Sequence, residues 1–371
     1  MLRLPFILLL TLSLLSAADK WSLAYIHDEL ESQLSLRQLV FPSERRGIAI
    51  GVLVDKGRPR PLALVTSDGG NRWDTVFLKD IPQHIACFGD ATCWIATEKG
   101  VWKSDESGRT WQRVSKQKGI LSLHFDSPTH GFAAGSEKSV WETKDAGAKW
   151  TLVPASREIE ANPKYAAFHA IGFEGNLGLI IGTSRPPRRG DNSLLPPWMD
   201  PEGQVKQREI PNLLLLIETR DGGKTWKGFS ASVFGRVTSL RVAAVGEALA
   251  LFEYGDGFEF SAEVNRINLR DGKTTPFYRR KEHTITDMLR RKTGDVLIAG
   301  TETSALRSIP IPSKVLIGEV SRRADGGAGA FTQHEMHYKA VAKRVSLALS
   351  PEGQAWAVTD TGMILRLDRQ R

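Results

Sequence analysis

The sequence predicts an all-β protein: a single seven-bladed β-propeller of four-stranded antiparallel blades, closed by an N-terminal strand. Three observations predict it. A short turn motif ending in tryptophan occurs four times. Each copy follows three short apolar segments and precedes a fourth. Trp73, Trp111 and Trp150 recur at roughly 40 residues, the length of one four-stranded blade.

Composition sets the outer limits. Hydrophobic residues are 41% and charged residues 25% of the 371, which excludes a disordered chain. With 50 Lys+Arg against 42 Asp+Glu the formal charge is +8, compatible with an acidic protein surface or an anionic membrane as partner. Nucleic acid is not expected, because no stacking motif accompanies the charge.

The chain opens with Met1-Leu2-Arg3, an apolar run from Pro5 to Leu15, and the small residues Ser16-Ala17-Ala18. That order is a cleavable signal peptide over residues 1–18, too short for a comfortable membrane span of about 20 residues. The mature chain, 19–371, is then expected in the periplasm or outside the cell, as a monomer without a transmembrane span. Cys87 and Cys93 flank a Gly89-Asp90 turn between two short strands. An exported protein permits a disulfide there, and two separately buried thiols fit the spacing equally. Zinc does not fit, since no partner ligands stand at finger spacing.

The repeated motif is Ser/Thr-x-Asp-x-Gly-x-x-Trp. Its copies run from Thr66 through Asp68 and Gly70 to Trp73, from Ser104 through Glu106 and Gly108 to Trp111, from Thr143 through Asp145 and Gly147 to Trp150, and from Thr219 through Asp221 and Gly223 to Trp226. Asp is expected to take backbone amides two residues on and close the turn. Gly supplies a backbone angle other residues resist. The hydroxyl ties the incoming strand to the turn, and Trp plugs the core. Each carboxylate is read as a turn former, because calcium needs six to eight oxygens.

Weaker copies complete the count. Glu247–Phe252 precedes a box at Asp271-Gly272 that lacks its Trp. Asp295–Gly300 precedes Arg323-Ala324-Asp325, with Phe331 near the aromatic place. Gln354–Val358 precedes Gly362–Leu367 with no box. Trp21–Ile26 has no blade of its own and is expected to join the last one, removing the exposed edges of an open array.

These boxes resemble the Asp-box (BNR) repeat. The wider unit, from Phe125 through Gly131 and Gly135 to Trp150, is most similar to the photosystem II stability/assembly factor family, and more distantly to sialidase-like and sortilin-type propellers. The resemblance covers roughly Leu36 to Ser232. It implies a propeller that binds a protein partner in the cell envelope or outside the cell, without catalysis and without cofactors. The alternative is a sialidase-like or other BNR-repeat glycoside hydrolase. That chemistry needs clustered arginines and a Tyr beside a carboxylate. The five tyrosines have no acidic neighbour at a telling spacing, and Arg307-Ser-Ile-Pro310 only approximates the sialidase Arg-Ile-Pro string.

Candidate partner-binding residues lie in the long Pro- and Arg-rich insertion 183–211: Arg185, Arg188, Arg189, Trp198 and Arg208. Long loops on rigid scaffolds are where recognition concentrates. His334-Glu-Met-His337 has the wrong spacing for a metal site on a strand and is read as a solvated loop. The runs Arg279-Arg280-Lys281 and Arg322-Arg323 are read as solvated faces.

Overall fold

The computed structural model describes residues 19–185, 211–243, 246–255, 257–270, 273–303, 311–323 and 326–368. Strand β1 is Lys20–Ile26. The first blade is β2 to β5 (Ser32–Val40, Gly47–Asp55, Arg58–Thr66, Asp74–Phe77). The second is β6 to β9 (Pro82–Phe88, Thr92–Thr97, Gly100–Ser104, Gln112–Ser115). The third is β10 to β13 (Ile120–Phe125, Gly131–Gly135, Ser139–Thr143, Thr151–Leu152), followed by the short helix α1 (Ala155–Glu158). The fourth is β14 to β17 (Ala166–Glu174, Leu177–Ser184, Asn212–Thr219, Lys227–Val233). The fifth is β18 to β21 (Arg236–Ala243, Glu247–Glu253, Ala262–Asn268, Thr274–Tyr278). The sixth is β22 to β25 (His283–Arg290, Val296–Glu302, Ser313–Arg322, Ala328–Gln333).

After β26 (Glu335–Met336) and β27 (Val341–Ala342), the seventh blade is β28 to β30 (Val345–Leu349, Ala355–Thr359, Met363–Asp368). The N-terminal strand β1 supplies its fourth strand, antiparallel to β30. β26 then lies parallel to the other side of β1, adding a fifth strand. The ring is therefore closed by the N-terminus, and Trp21, 1% exposed, is sealed inside the seam.

Each turn motif is a hydrogen-bonded unit. Thr66 Oγ1 accepts the Gly70 amide at 3.0 Å and donates to Asp68 at 2.9 Å. Asp68 Oδ1 accepts the amides of Asn71 and Arg72, both at 3.0 Å. The carboxylate thus reaches three and four residues on, not two, because it caps a wider loop. Asp145 and Asp221 do the same with the amides of Lys149 and Thr225. Hydrogen bonds from Thr225, side chain first and then backbone, hold the Asp221 carboxyl down at about 2. Glu106, one methylene longer, takes the hydroxyl of Thr110 instead.

The motif tryptophans are half-buried rather than core plugs. Trp73, Trp111 and Trp226 turn their Nε1–H back onto the motif glycine carbonyl at 2.9–3.1 Å. Among the described residues the fully enclosed tryptophans are Trp21, Trp94 and Trp356. The motif glycine explains the difference. A β-carbon on Gly223 would lie 2.2 Å from Phe132, which belongs to the preceding blade. The motif therefore works as a lid across the seam between blades. In the first and fourth copies it covers an aromatic ring of the neighbour's second strand, Trp356 or Phe132, while its own Trp edges that ring; in the second, Gly108 covers Ile48 instead.

Two further features fix the frame. Cys87 and Cys93 are register partners across β6 and β7 and are joined by a disulfide. Lys138 is buried behind β12, and its Nζ donates to the carbonyls of Arg157, Ile159 and Ala161 at 2.9, 2.5 and 3.3 Å. This single ammonium anchors α1 and the chain that follows it.

Candidate functional site

The seven first strands, β2, β6, β10, β14, β18, β22 and β28, pack one against the next around the central channel. Six of them carry a one-residue register shift at the same place, at Arg37, Gln83, Leu121, His169, Thr238 and Thr286. A bulge turns neighbouring side chains off the sheet normal, and here it aims polar groups sideways at the next blade. Gln38 exchanges two hydrogen bonds with the backbone of Ile85, at 3.0 and 3.1 Å. His84 Nδ1 accepts the Leu123 amide at 3.3 Å. His169 Nε2 donates to the Val237 carbonyl at 2.7 Å. Thr286 exchanges bonds with Val345. These contacts stitch the channel wall side chain to backbone.

Asp287 is the main anion of that wall. It accepts from Ser239, Arg241, Ser346 and the amides of Met288 and Leu347 at 2.8–3.2 Å. At one mouth, Glu253 takes Arg236 and Arg344, each at 2.8 Å. Burial pushes Glu253 up, but the two guanidiniums outweigh it and hold the carboxyl below its ordinary value. Arg37 stands exposed to the channel without an ion pair among the described residues. Burial, then the positive charges of Arg241 and Arg37, depress the His84 imidazole to about 3. His84 is therefore neutral.

Outside the ring, the fourth and fifth blades part to leave a crevice of about 1010 Å³. At its floor Tyr254 donates to Glu263 at 3.0 Å, and Arg279 approaches the same carboxylate at 3.5 Å. A Tyr–carboxylate pair thus exists where sequence spacing showed none, because the β19–β20 hairpin folds residue 254 back beside residue 263. Burial and then Glu263 push the phenol pKa well up, so Tyr254 is held protonated.

The predicted residues distribute as follows. Arg185 is exposed and its amide donates to Tyr165 at 3.0 Å. Arg188, Arg189, Trp198 and Arg208 lie outside the described residues, as do Asp271, Gly272, Arg307–Pro310 and Asp325. His334 is buried, not in a solvated loop, while His337 is exposed. Arg279 lies over Phe260, Arg280 over Phe331, and Lys281 pairs with Glu259. That run is therefore bound into the fold, not left as a free face. Among the described residues no group of three or more His, Cys, Asp or Glu is placed to hold a metal. No helix among them is long and apolar enough to cross a membrane. The channel residues were missed because hydrophobic alternation cannot register one extra residue. Aligning the first strands with one another would have shown a polar residue recurring among apolar neighbours.

Fold and turn motifs together define an Asp-box propeller. A family model described as photosynthesis system II assembly factor YCF48 matches residues 112–186. Among solved structures the chain resembles YCF48 bound to D1 peptide, with 14% identity, 92% of this chain and 94% of that chain covered, and a TM-score of 0.59. YCF48 from Cyanidioschyzon merolae gives 14% identity, coverage of 95% and 98%, and a TM-score of 0.58. The extracellular domain of the one-component system BT4673 from B. thetaiotaomicron gives 10% identity and a TM-score of 0.56, over 92% of this chain and 39% of that one. No curated protein matches the sequence.

Proposed function

We infer that this protein is an exported, non-catalytic propeller that binds a protein partner, in the manner of an assembly factor. The observation that carries the reading is the similarity to YCF48, found both in the family match over residues 112–186 and in a structure holding a peptide. The channel supports it. Arg37 stands exposed on that rigid, stitched wall, close enough to Arg344 to feel its charge, and an exposed guanidinium of this kind recognises a carboxylate of a partner. The apolar segment before Asp19 and the Cys87–Cys93 disulfide support export to an oxidising compartment.

The Tyr254–Glu263 pair is the feature nearest to a glycoside hydrolase. Its raised phenol pKa opposes a nucleophilic role, and the arginines Arg236 and Arg344 are engaged by Glu253 instead.

A photo-crosslinking residue at position 37, introduced into the protein expressed in its own cells, tests the reading. The expected result is a specific crosslinked polypeptide, lost when Arg344 is changed to Glu, together with a mature N-terminus at Asp19. Recovery of no crosslinked polypeptide, or turnover of a sialoside that disappears in Glu263→Gln, would overturn it.

A further inference from the structure

The outermost strands of the blades differ in how well they are guarded against pairing with another chain. β5 is short and contains Asp74, β13 has two residues, and β21 contains Pro276. The pairings of β9 and β25 are broken by register shifts. β17 is seven residues long and its single charge, Lys227, stands at its first position. It pairs with β16 in unbroken register from Asn212↔Val233 to Glu218↔Lys227, and it is exposed along all but its last residue. No charge or proline lies between Lys227 and Arg236. Such an edge presents free amides and carbonyls to any extended chain.

The crevice lies directly beside this edge. Phe229, Ala231 and Val233 of β17 point into it on alternate positions. Ile267, Leu269 and Phe252 face them from the fifth blade. Phe229 is 49% exposed and Phe234 44%. The two ends differ. One is aromatic, with Tyr254 and Phe258 rings 5.0 Å apart and Phe234 and Phe258 5.4 Å apart. The other is basic, lined by Arg220 and Arg270. Arg220 is held by Glu218, whereas Arg270 is exposed and has no ion pair among the described residues.

We propose that β17 and the crevice form a docking site for an extended segment of a partner protein, which adds to β17 as a fifth strand, sends alternate apolar side chains into the crevice and sets a carboxylate against Arg270. Main-chain pairing at a bare edge supplies affinity, and pockets for alternate side chains supply selection. The charge gradient fixes direction, because the basic end answers an acidic one and the aromatic end an apolar one. The proposal rests on the protein-binding reading above and adds to it the form of the partner. It is independent of the channel, which lies on the inner side of the same blades.

The test uses the full mature chain and a fluorescent peptide of about ten residues, the length of a long strand. The peptide alternates Val and Ser and carries Asp-Asp at one end or the other, and fluorescence anisotropy reads binding. The expected result is saturable binding by one of the two orientations. Phe229→Glu should weaken it at least about tenfold and Arg270→Glu about fivefold, the loss of one central anchor or one charge-assisted contact. Phe77→Glu, a change at the exposed Phe of β5, should leave it unchanged. Methylating alternate peptide nitrogens, which removes ladder donors and keeps the side chains, should abolish it. Binding that survives Phe229→Glu or N-methylation would overturn the proposal, as would no saturable binding in either orientation. If a partner crosslinks at position 37 while these peptides fail, the protein-binding reading stands and the β17 site falls.

Discussion

Gly70 of the first blade rests on the ring of Trp356 in the last, so closely that a β-carbon on Gly70 would sit 2.3 Å from Cη2. The contact joins the two ends of the chain's repeat series across the closing seam. Gly70→Ala must therefore displace a buried ring and hold φ at +84° with a side chain. The two penalties together are about 2–4 kcal/mol. Gly57 has a similar φ of +74° with open space around it, so Gly57→Ala should cost only about 1 kcal/mol. Denaturant unfolding of the two variants separates seam packing from backbone strain. Equal losses would show that the seam contributes nothing.

Trp226 stands edge-on to Phe132 and Phe173, with centroids 5.3 and 6.1 Å away. It is half-buried, so Trp226→Ala should cost about 2 kcal/mol, less than a fully buried aromatic. Asp221→Ala should lower the melting midpoint by less, since an exposed turn loses only hydrogen bonds. Glu106→Asp should raise it, because the shorter carboxylate regains the amide contacts that Asp68 and Asp145 make. Differential scanning calorimetry reads all three, and an unchanged Glu106→Asp midpoint would remove the amides from the account of the motif.

Much of this arrangement was legible in the sequence, and the reason is local. Thr66, Asp68, Gly70 and Trp73 interact within one turn, so their spacing carries their geometry, and repetition at blade length carries the ring. Trp21 could be assigned to the last blade because a closed propeller leaves it no other edge. Three things were not legible. The burial of Trp94 and Trp356, as against the motif tryptophans, depends on the adjacent blade. The channel bulges are single-residue insertions invisible to a two-residue period. The Tyr254–Glu263 contact depends on the register of a hairpin, which a one-residue slip would abolish.

The channel wall makes stability depend on acid. The folded pKa of His84 is about 3, set by burial and then by Arg241, against about 6.5 in the unfolded chain. His124 and His283 are each depressed to about 4, burial being the main cause. The native state binds fewer protons than the unfolded one in this range, so stability falls as pH drops from about 6.5 toward these values. His130 acts oppositely. Burial lowers it, but hydrogen bonds to Glu142 and Asp126 raise it overall, so its contribution is complete below about 6.5 and is lost as pH rises through its folded pKa. His84→Gln should keep an acceptor for Leu123 and show a smaller loss of stability between pH 7.5 and 5 than the parent. Parallel pH profiles for the two proteins would exclude His84 as a source of the dependence.

Lys138 illustrates how one buried charge can hold a segment. Three carbonyls converge on its ammonium, and burial lowers its pKa. Lys138→Met keeps the bulk of the stem but leaves those carbonyls without a donor. The expected loss is about 2–4 kcal/mol, from buried acceptors left unmade. Faster hydrogen exchange should be confined to residues 153–165 and the adjacent β12. Exchange that rises evenly through all blades would show that Lys138 supports global stability rather than this segment.

The strand from Lys20 to Ile26 is the one element whose removal should open the ring. It lies between β30 and β26, paired on both sides, and carries Trp21 into a cluster with Leu297, Ile317, Leu347 and Leu365. Deleting residues 19–26 uncovers the β30 edge along Met363–Asp368 and leaves a cavity where the indole stood. The edge is mostly apolar, and an apolar uncovered edge is a template for intermolecular pairing. The truncated protein should therefore form soluble oligomers or aggregate, and the effect should steepen with concentration. Trp21→Ala in the full mature chain retains the backbone pairing and should lose about 3–5 kcal/mol of stability without aggregating. Light scattering after size-exclusion chromatography, with unfolding curves on both proteins, distinguishes the two effects. A truncated chain that stays monomeric and unfolds at the parent's midpoint would show that the ring closes without β1.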